Sequence, residues 1–130
     1  IIPVYFLDTD FDKNSEDDRS ISLRLYSGDK DHRILQEALL GIGGITLLET
    51  LGYDNIETYH MNEGHCSFLI LSLLEKFSGD EKLIKSMCHF TTHTPVDAGH
   101  DHFSVDRARR ILNNYQIIFL KPTTLHTNKK

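Results

Sequence analysis

The sequence is poor in cysteine, has no long apolar run and carries no block of basic residues. Each absence removes a class of protein. Two cysteines in 130 residues, Cys66 and Cys88, cannot build a disulfide framework, and buried free thiols are the better expectation. The longest apolar run, FLILSLL at 68–74, is far too short to cross a bilayer. A net charge of −5, with Arg107, Arg109, Arg110 and the pair Lys129-Lys130 as the only basic clusters, argues against a nucleic-acid partner. No CxxC or HExxH offers a familiar zinc spacing, and no GxSxG offers a nucleophilic serine elbow. No lysine stands where a cofactor Schiff base is expected. The chain opens on IIPVYFL, without a charged leader, and reads as one that starts partway through something larger.

What remains is an ordinary globular composition, 39% hydrophobic and 25% charged, long enough for one domain with a real core. PVYFLDTD (3–10) reads as a buried strand that ends in acids. NSEDDRSISLRLY follows, with Ser15 three residues before Asp18, a capping signal for a short helix. From Asp31 to Leu51 the apolar residues Ile34, Leu35, Ala38, Leu39, Ile42, Ile45, Leu48 and Leu51 keep steps of three and four, which predicts a helix closed by Gly52. Within it, GIGG (41–44) reads as close helix packing rather than a phosphate turn, because the helical period runs through it and no strand precedes it.

IETYHM (56–61) predicts a second strand. Residues 65–77 predict a mostly apolar helix closed by Ser78-Gly79, and 80–87 a short helix capped by Asp80. CHFTTHT gives a third strand halted by Pro95, 104–114 a helix, and YQIIFL (115–120) a last strand before a polar tail expected to be disordered. Strands alternating with helices predict an α/β fold, a mainly parallel sheet with helices on both faces. Ligands in such sheets bind beyond the carboxyl ends of the strands, which singles out two loops, NEGH (62–65) and HTPVDAGH (93–100).

In NEGH an amide, an acid, a glycine and an imidazole fall where a strand becomes a helix. Asn62 and Glu63 can bond hydroxyls and His65 can donate or accept; the plainer alternative is that Asn62 or Glu63 caps the next helix. HFTTHTPVDAGHDHF (89–103) places His89, His93, His100 and His102 in one short stretch. A metal site, a polar surface loop and a ligand-contacting loop are all open there, the last favoured, with His100 and His102 expected at the surface.

At these loops the sequence resembles a known family. VYFLDTD, SGDKDHRILQEALLGIGG, YHMNEGHCSFL and FTTHTPVDAGHDHF, in order over residues 3 to about 112, resemble the α-glucan phosphorylases. The resemblance implies part of the N-terminal Rossmann-like domain of a glycosyltransferase-B fold over 1–114, with 115–130 divergent. It implies that Asn62, Glu63, His65 and His93 line a glucosyl subsite, His93 largely through its backbone carbonyl, with no metal and no catalytic residue assigned. The implied reaction is phosphorolysis of α-1,4-glucan by phosphate to glucose 1-phosphate. Pyridoxal phosphate is the implied cofactor, held by a C-terminal domain missing here; its lysine has no counterpart in the chain. The implied location is cytoplasmic, and the chain alone is expected to be inactive and prone to self-association. A non-catalytic carbohydrate-binding module on the same half-domain is the alternative.

Overall fold

The computed structural model describes residues 1–26, 28–93, 96 and 101–114. Helix α1 (Glu16–Arg19) starts where Ser15 signals it: its Oγ accepts from the Asp18 amide at 3.2 Å and donates to the Asp18 carboxylate at 2.7 Å. Helix α2 (Lys30–Ala38) is capped by Asp29, whose side chain accepts from the Asp31 and His32 amides. It runs without a break through a π-helical turn (Leu39–Gly43) into α3 (Gly44–Thr50). Gly52, at φ +80°, ends the run, and the Tyr53 amide bonds back to the Leu48 carbonyl at 3.0 Å, a Schellman closure.

The sheet is one parallel pair, β1 (Tyr59–Asn62) and β2 (Cys88–Thr91), in the register Tyr59↔Cys88, His60↔His89, Met61↔Phe90 and Asn62↔Thr91. The crossover between them carries a 3₁₀ turn (Glu63–Cys66), α4 (Leu69–Lys76) and α5 (Glu81–Met87); α6 (Val105–Asn114) follows β2. Along β1 burial alternates: Tyr59 and Met61 join Ile45, Leu69, Leu73 and Ile84 in one core, while His60 and Asn62 are exposed. A second core joins Ile34 and Ala38 of α2 to Ile111 and Leu112 of α6. The long helix therefore serves both cores, and the π turn lies between the residues it gives to each.

Two expectations change. Residues 3–10 form no strand, and Val4 and Phe6 are 72% and 89% exposed. A strand needs a neighbour for its amides, and among the described residues no strand lies beside this segment; instead the Thr9 amide bonds Ser22 Oγ and the Asp10 amide bonds Asp8 Oδ1. Among the described residues the parallel sheet thus has two strands. The expected last strand, Pro95 and His100 lie outside the described residues, as does the tail. No helix among the described residues is long and apolar enough to cross a membrane.

The cap of α5 gives a local test. Asp80 Oδ1 accepts from the Leu83 amide at 3.0 Å. Asp80→Ala is expected to cost about 1 kcal/mol, seen as a lower denaturation midpoint with an unchanged m-value; an unchanged midpoint would show that the cap carries no stability.

Candidate functional site

Parallel pairing in register brings the carboxyl ends of β1 and β2 side by side, and the next residues on each strand meet. Nε2 of His93 lies 2.8 Å from Oδ1 of Asn62, a pairing in which the ring N–H donates. Glu63 receives both the Thr92 hydroxyl (3.1 Å, to Oε2) and the His93 backbone N–H (to Oε1). Glu63 itself is 6% exposed and sits at φ +57°, a left-handed conformation that costs a non-glycine residue energy. Strain, burial and two convergent donors make its carboxylate a staple between the two strand ends.

The 3₁₀ turn, with Asn62 at its N-cap, and α4 both start without a side-chain cap bond. Glu63 is turned toward the second loop instead of outward. The Asn62 oxygen is committed to His93, which leaves its amide hydrogens at the exposed surface. Across the pair, His60 Nε2 meets Thr91 Oγ1 at 2.6 Å on the same open face.

His65 stands apart from this staple. It packs against Tyr26, with ring centroids 5.5 Å apart and Nε2 3.4 Å from the phenol oxygen. It still shares a cavity with Asn62: about 530 Å³ in volume, floored by Ile45, Leu48 and Leu69, with Asn62, His60 and His65 among its polar lining. Gly41 forms part of this wall; it is buried, and a Cβ there would lie 2.6 Å from the Leu69 amide nitrogen and 2.8 Å from the Cys66 carbonyl oxygen. Gly41 thus lets the π turn lie directly on the backbone that leads from the NEGH loop into α4.

Cys66 and Cys88 are free and half-buried, and burial pushes both thiols up, so neither is poised as a nucleophile. Among the described residues no group of three His, Cys, Asp or Glu side chains is placed to hold a metal. His102 is exposed, and its carbonyl accepts from Lys30 Nζ at 3.3 Å.

One group escaped the sequence reading. Glu37 is 4% exposed, and with its neighbour Arg33 it reaches Asp101 from the far side of the histidine-rich stretch. The available signal was an Arg and a Glu four apart, on either side of the core residue Ile34 and on the helix face that should be apolar.

The sequence is 38% identical over 127 aligned positions to a glycogen phosphorylase of Mycobacterium tuberculosis, covering 87% of this chain and 14% of that protein. It is 41% identical over 125 positions to a maltodextrin phosphorylase of Thermococcus litoralis, covering 88% and 14% respectively. A glycogen phosphorylase of Aquifex aeolicus shares 42% identity over 100 positions, covering 72% of this chain and again 14% of the relative. The chain thus spans about 14% of the length of these curated relatives. No family model and no solved structure matches it.

Proposed function

We propose that the chain, similar in sequence to about 14% of the length of α-glucan phosphorylases, belongs to that family and forms part of the sugar-facing wall of such an enzyme. The reaction is cleavage of an α-1,4-glucan by inorganic phosphate, giving glucose 1-phosphate and a glucan one unit shorter. One observation carries the site assignment: the parallel register places Asn62, Glu63 and His93 at adjoining strand ends, with Asn62 and His65 on one cavity.

The roles divide by geometry. Asn62 offers its amide hydrogens and His65 its imidazole to sugar hydroxyls, since both reach the cavity. Glu63 holds the two loops together, its oxygens already taken by Thr92 and His93. In this reading residues 1–114 are part of a Rossmann-like domain of a glycosyltransferase-B fold, 115–130 a divergent segment, and the location cytoplasmic. The exposed Val4, Phe6 and Phe90 leave apolar surface that further protein would cover.

Pyridoxal phosphate belongs to the family reading, but the described residues do not fit it. A lysine that forms an imine is buried and easily deprotonated. Lys13, Lys30, Lys76, Lys82 and Lys85 are all exposed, and Lys76 is held by Glu49 at 2.8 Å, which pushes its ammonium further up. The cofactor is therefore assigned to protein beyond these residues.

Transition-state stabilisation in a cleft draws on both walls, so the 130-residue chain alone is expected to release no glucose 1-phosphate from maltodextrin and phosphate. Grafted as residues 3–112 in place of the matching segment of the Thermococcus litoralis enzyme, it is expected to sustain phosphorolysis. In that chimera His65→Ala should lower kcat/KM roughly ten-fold, the effect of about one hydrogen bond, while His102→Ala leaves it unchanged. A folded, cofactor-loaded chimera that is inactive, or one indifferent to His65→Ala, would count against the assignment.

A further inference from the structure

Glu37 and Glu63 are the two buried charged residues among those described, and only Glu63 belongs to the staple. Glu37 sits on α2 beside Arg33, whose side chain is only 11% exposed. Arg33 reaches several ways at once. Its Nη2 is 2.6 Å and its Nε 3.2 Å from Asp101 Oδ2; Nη2 is also 3.4 Å from Glu37 Oε1, and Nη1 is 3.1 Å from Gln36 Oε1. Its guanidinium carbon lies 5.2 Å from the centre of the Tyr26 ring, the ring that packs on His65. Gln36, next to Glu37 in the chain, donates to the carbonyls of Ile21 and Arg24 and so fixes the approach to Tyr26.

Burying such a set costs desolvation that an apolar cluster of the same size would avoid, so stability alone does not explain it. What it does geometrically is join three chain segments: Tyr26 before α2, His65 after β1, and Asp101 after β2. We propose that Arg33, backed by Glu37, is the positioning residue that sets His65 and the Asp101 end of the histidine-rich stretch in the sugar-facing wall; this rests on the reading of that wall given above.

Charge state supports the arrangement. Burial, and then the charge of Asp101, pushes the Glu37 carboxyl up to about 7, with Arg33 pulling the other way. Burial works against Asp101 too, but the hydrogen bond and charge of Arg33 and a hydrogen bond from Glu37 hold it below the usual carboxylate range. A protonated Glu37 donates to the Asp101 carboxylate, and Arg33 neutralises the pair. The other charged or titratable groups nearby are His65 and Cys66 from the 3₁₀ turn, whose Glu63 is engaged with His93, and Arg107 and Arg110 of α6, both taken up by Asp31. Because the folded carboxyl titrates above the ordinary 4.5, the folded chain holds more protons than the unfolded one between 4.5 and about 7, and stability falls as pH rises through that window. Above it, two carboxylates share one guanidinium, and Asp101, the more exposed, is the one to loosen.

The test is side-chain NMR on the full chain. The Arg33 Nε–H and Tyr26 ring signals are expected to move together with a midpoint near 7. In Glu37→Gln, which keeps a donor toward Asp101 and removes the charge, they should hold their low-pH positions throughout. Arg33→Gln is expected to shift the Tyr26 and His65 rings while the Leu73 and Ile84 methyls of the other core stay in place. Maltopentaose should perturb His65 in the wild type and bind roughly five-fold more weakly to Arg33→Gln, the effect of one lost hydrogen bond, with Arg33→Lys in between. A pH midpoint that survives Glu37→Gln, or a His65 ring and maltopentaose affinity that ignore Arg33→Gln, overturns the proposal. A wild-type chain with the pH midpoint but no response to maltopentaose overturns the sugar-facing reading instead, and with it the role of Arg33 there.

Discussion

Glu63→Ala is expected to destabilise the chain by about 2–4 kcal/mol, the loss of two hydrogen bonds to a buried carboxylate. The Thr92 hydroxyl can turn to water. The His93 amide is held at the junction of the two strands, and losing its acceptor there also releases His93 from Asn62. Backbone conformation supplies an internal control. At φ +57° alanine keeps the strain that glycine relieves, so Glu63→Gly should be less damaging than Glu63→Ala by about 1 kcal/mol, although glycine is ordinarily the costlier residue. Chemical denaturation gives the energies, and the His93 amide resonance reports the staple. Equal effects of Ala and Gly, or a His93 amide unmoved by either, would show that the carboxylate does not hold the second loop.

Gly41→Ala is expected to cost about 3 kcal/mol, the upper end of the range for forcing extra atoms into a packed site. The new Cβ would meet backbone at 2.6 Å (Leu69 N), 2.8 Å (Cys66 O) and 3.1 Å (Phe68 C), and backbone cannot swing aside as a side-chain end can. Since those atoms lead from the NEGH loop into α4, the shift should also widen the cavity shared by Asn62 and His65. Gly44, three residues on, is the contrast: its Cβ would meet nothing within 4 Å and its backbone is helical. Gly44→Ala should therefore stabilise by about 0.5–1 kcal/mol through helix propensity. Thermal melts of the two variants decide the matter. Similar melting temperatures would mean that GIGG is not a packing device.

Local signals in the sequence were sufficient wherever one residue type acts on its own neighbours. Ser15 and Asp80 start helices because a short oxygen-bearing side chain satisfies free amides two or three residues on, and Gly52 ends one because it takes a positive φ without cost. The steps of three and four from Ile34 onward give the long helix for the same reason. Residues 3–10 show the limit. Their β-prone composition is also local, but a strand is a two-body object, and composition does not supply the partner.

The candidate site divides in the same way. The order of strand, loop and helix singled out the loops 62–65 and 93–100, because parallel strands put their carboxyl ends at one edge. Which residues of the two loops touch follows from the register: Asn62 opposite Thr91 brings Glu63 beside Thr92 and His93 and leaves His65 against Tyr26. The Arg33–Glu37–Asp101 group lay further from reach, since it joins residues 68 apart in the chain. Spacing along the chain determines which side chains share a face, but only the packing of α2 against the 3₁₀ turn and α6 fixes which buried charge finds its counter-ion, because that depends on distances the sequence does not contain.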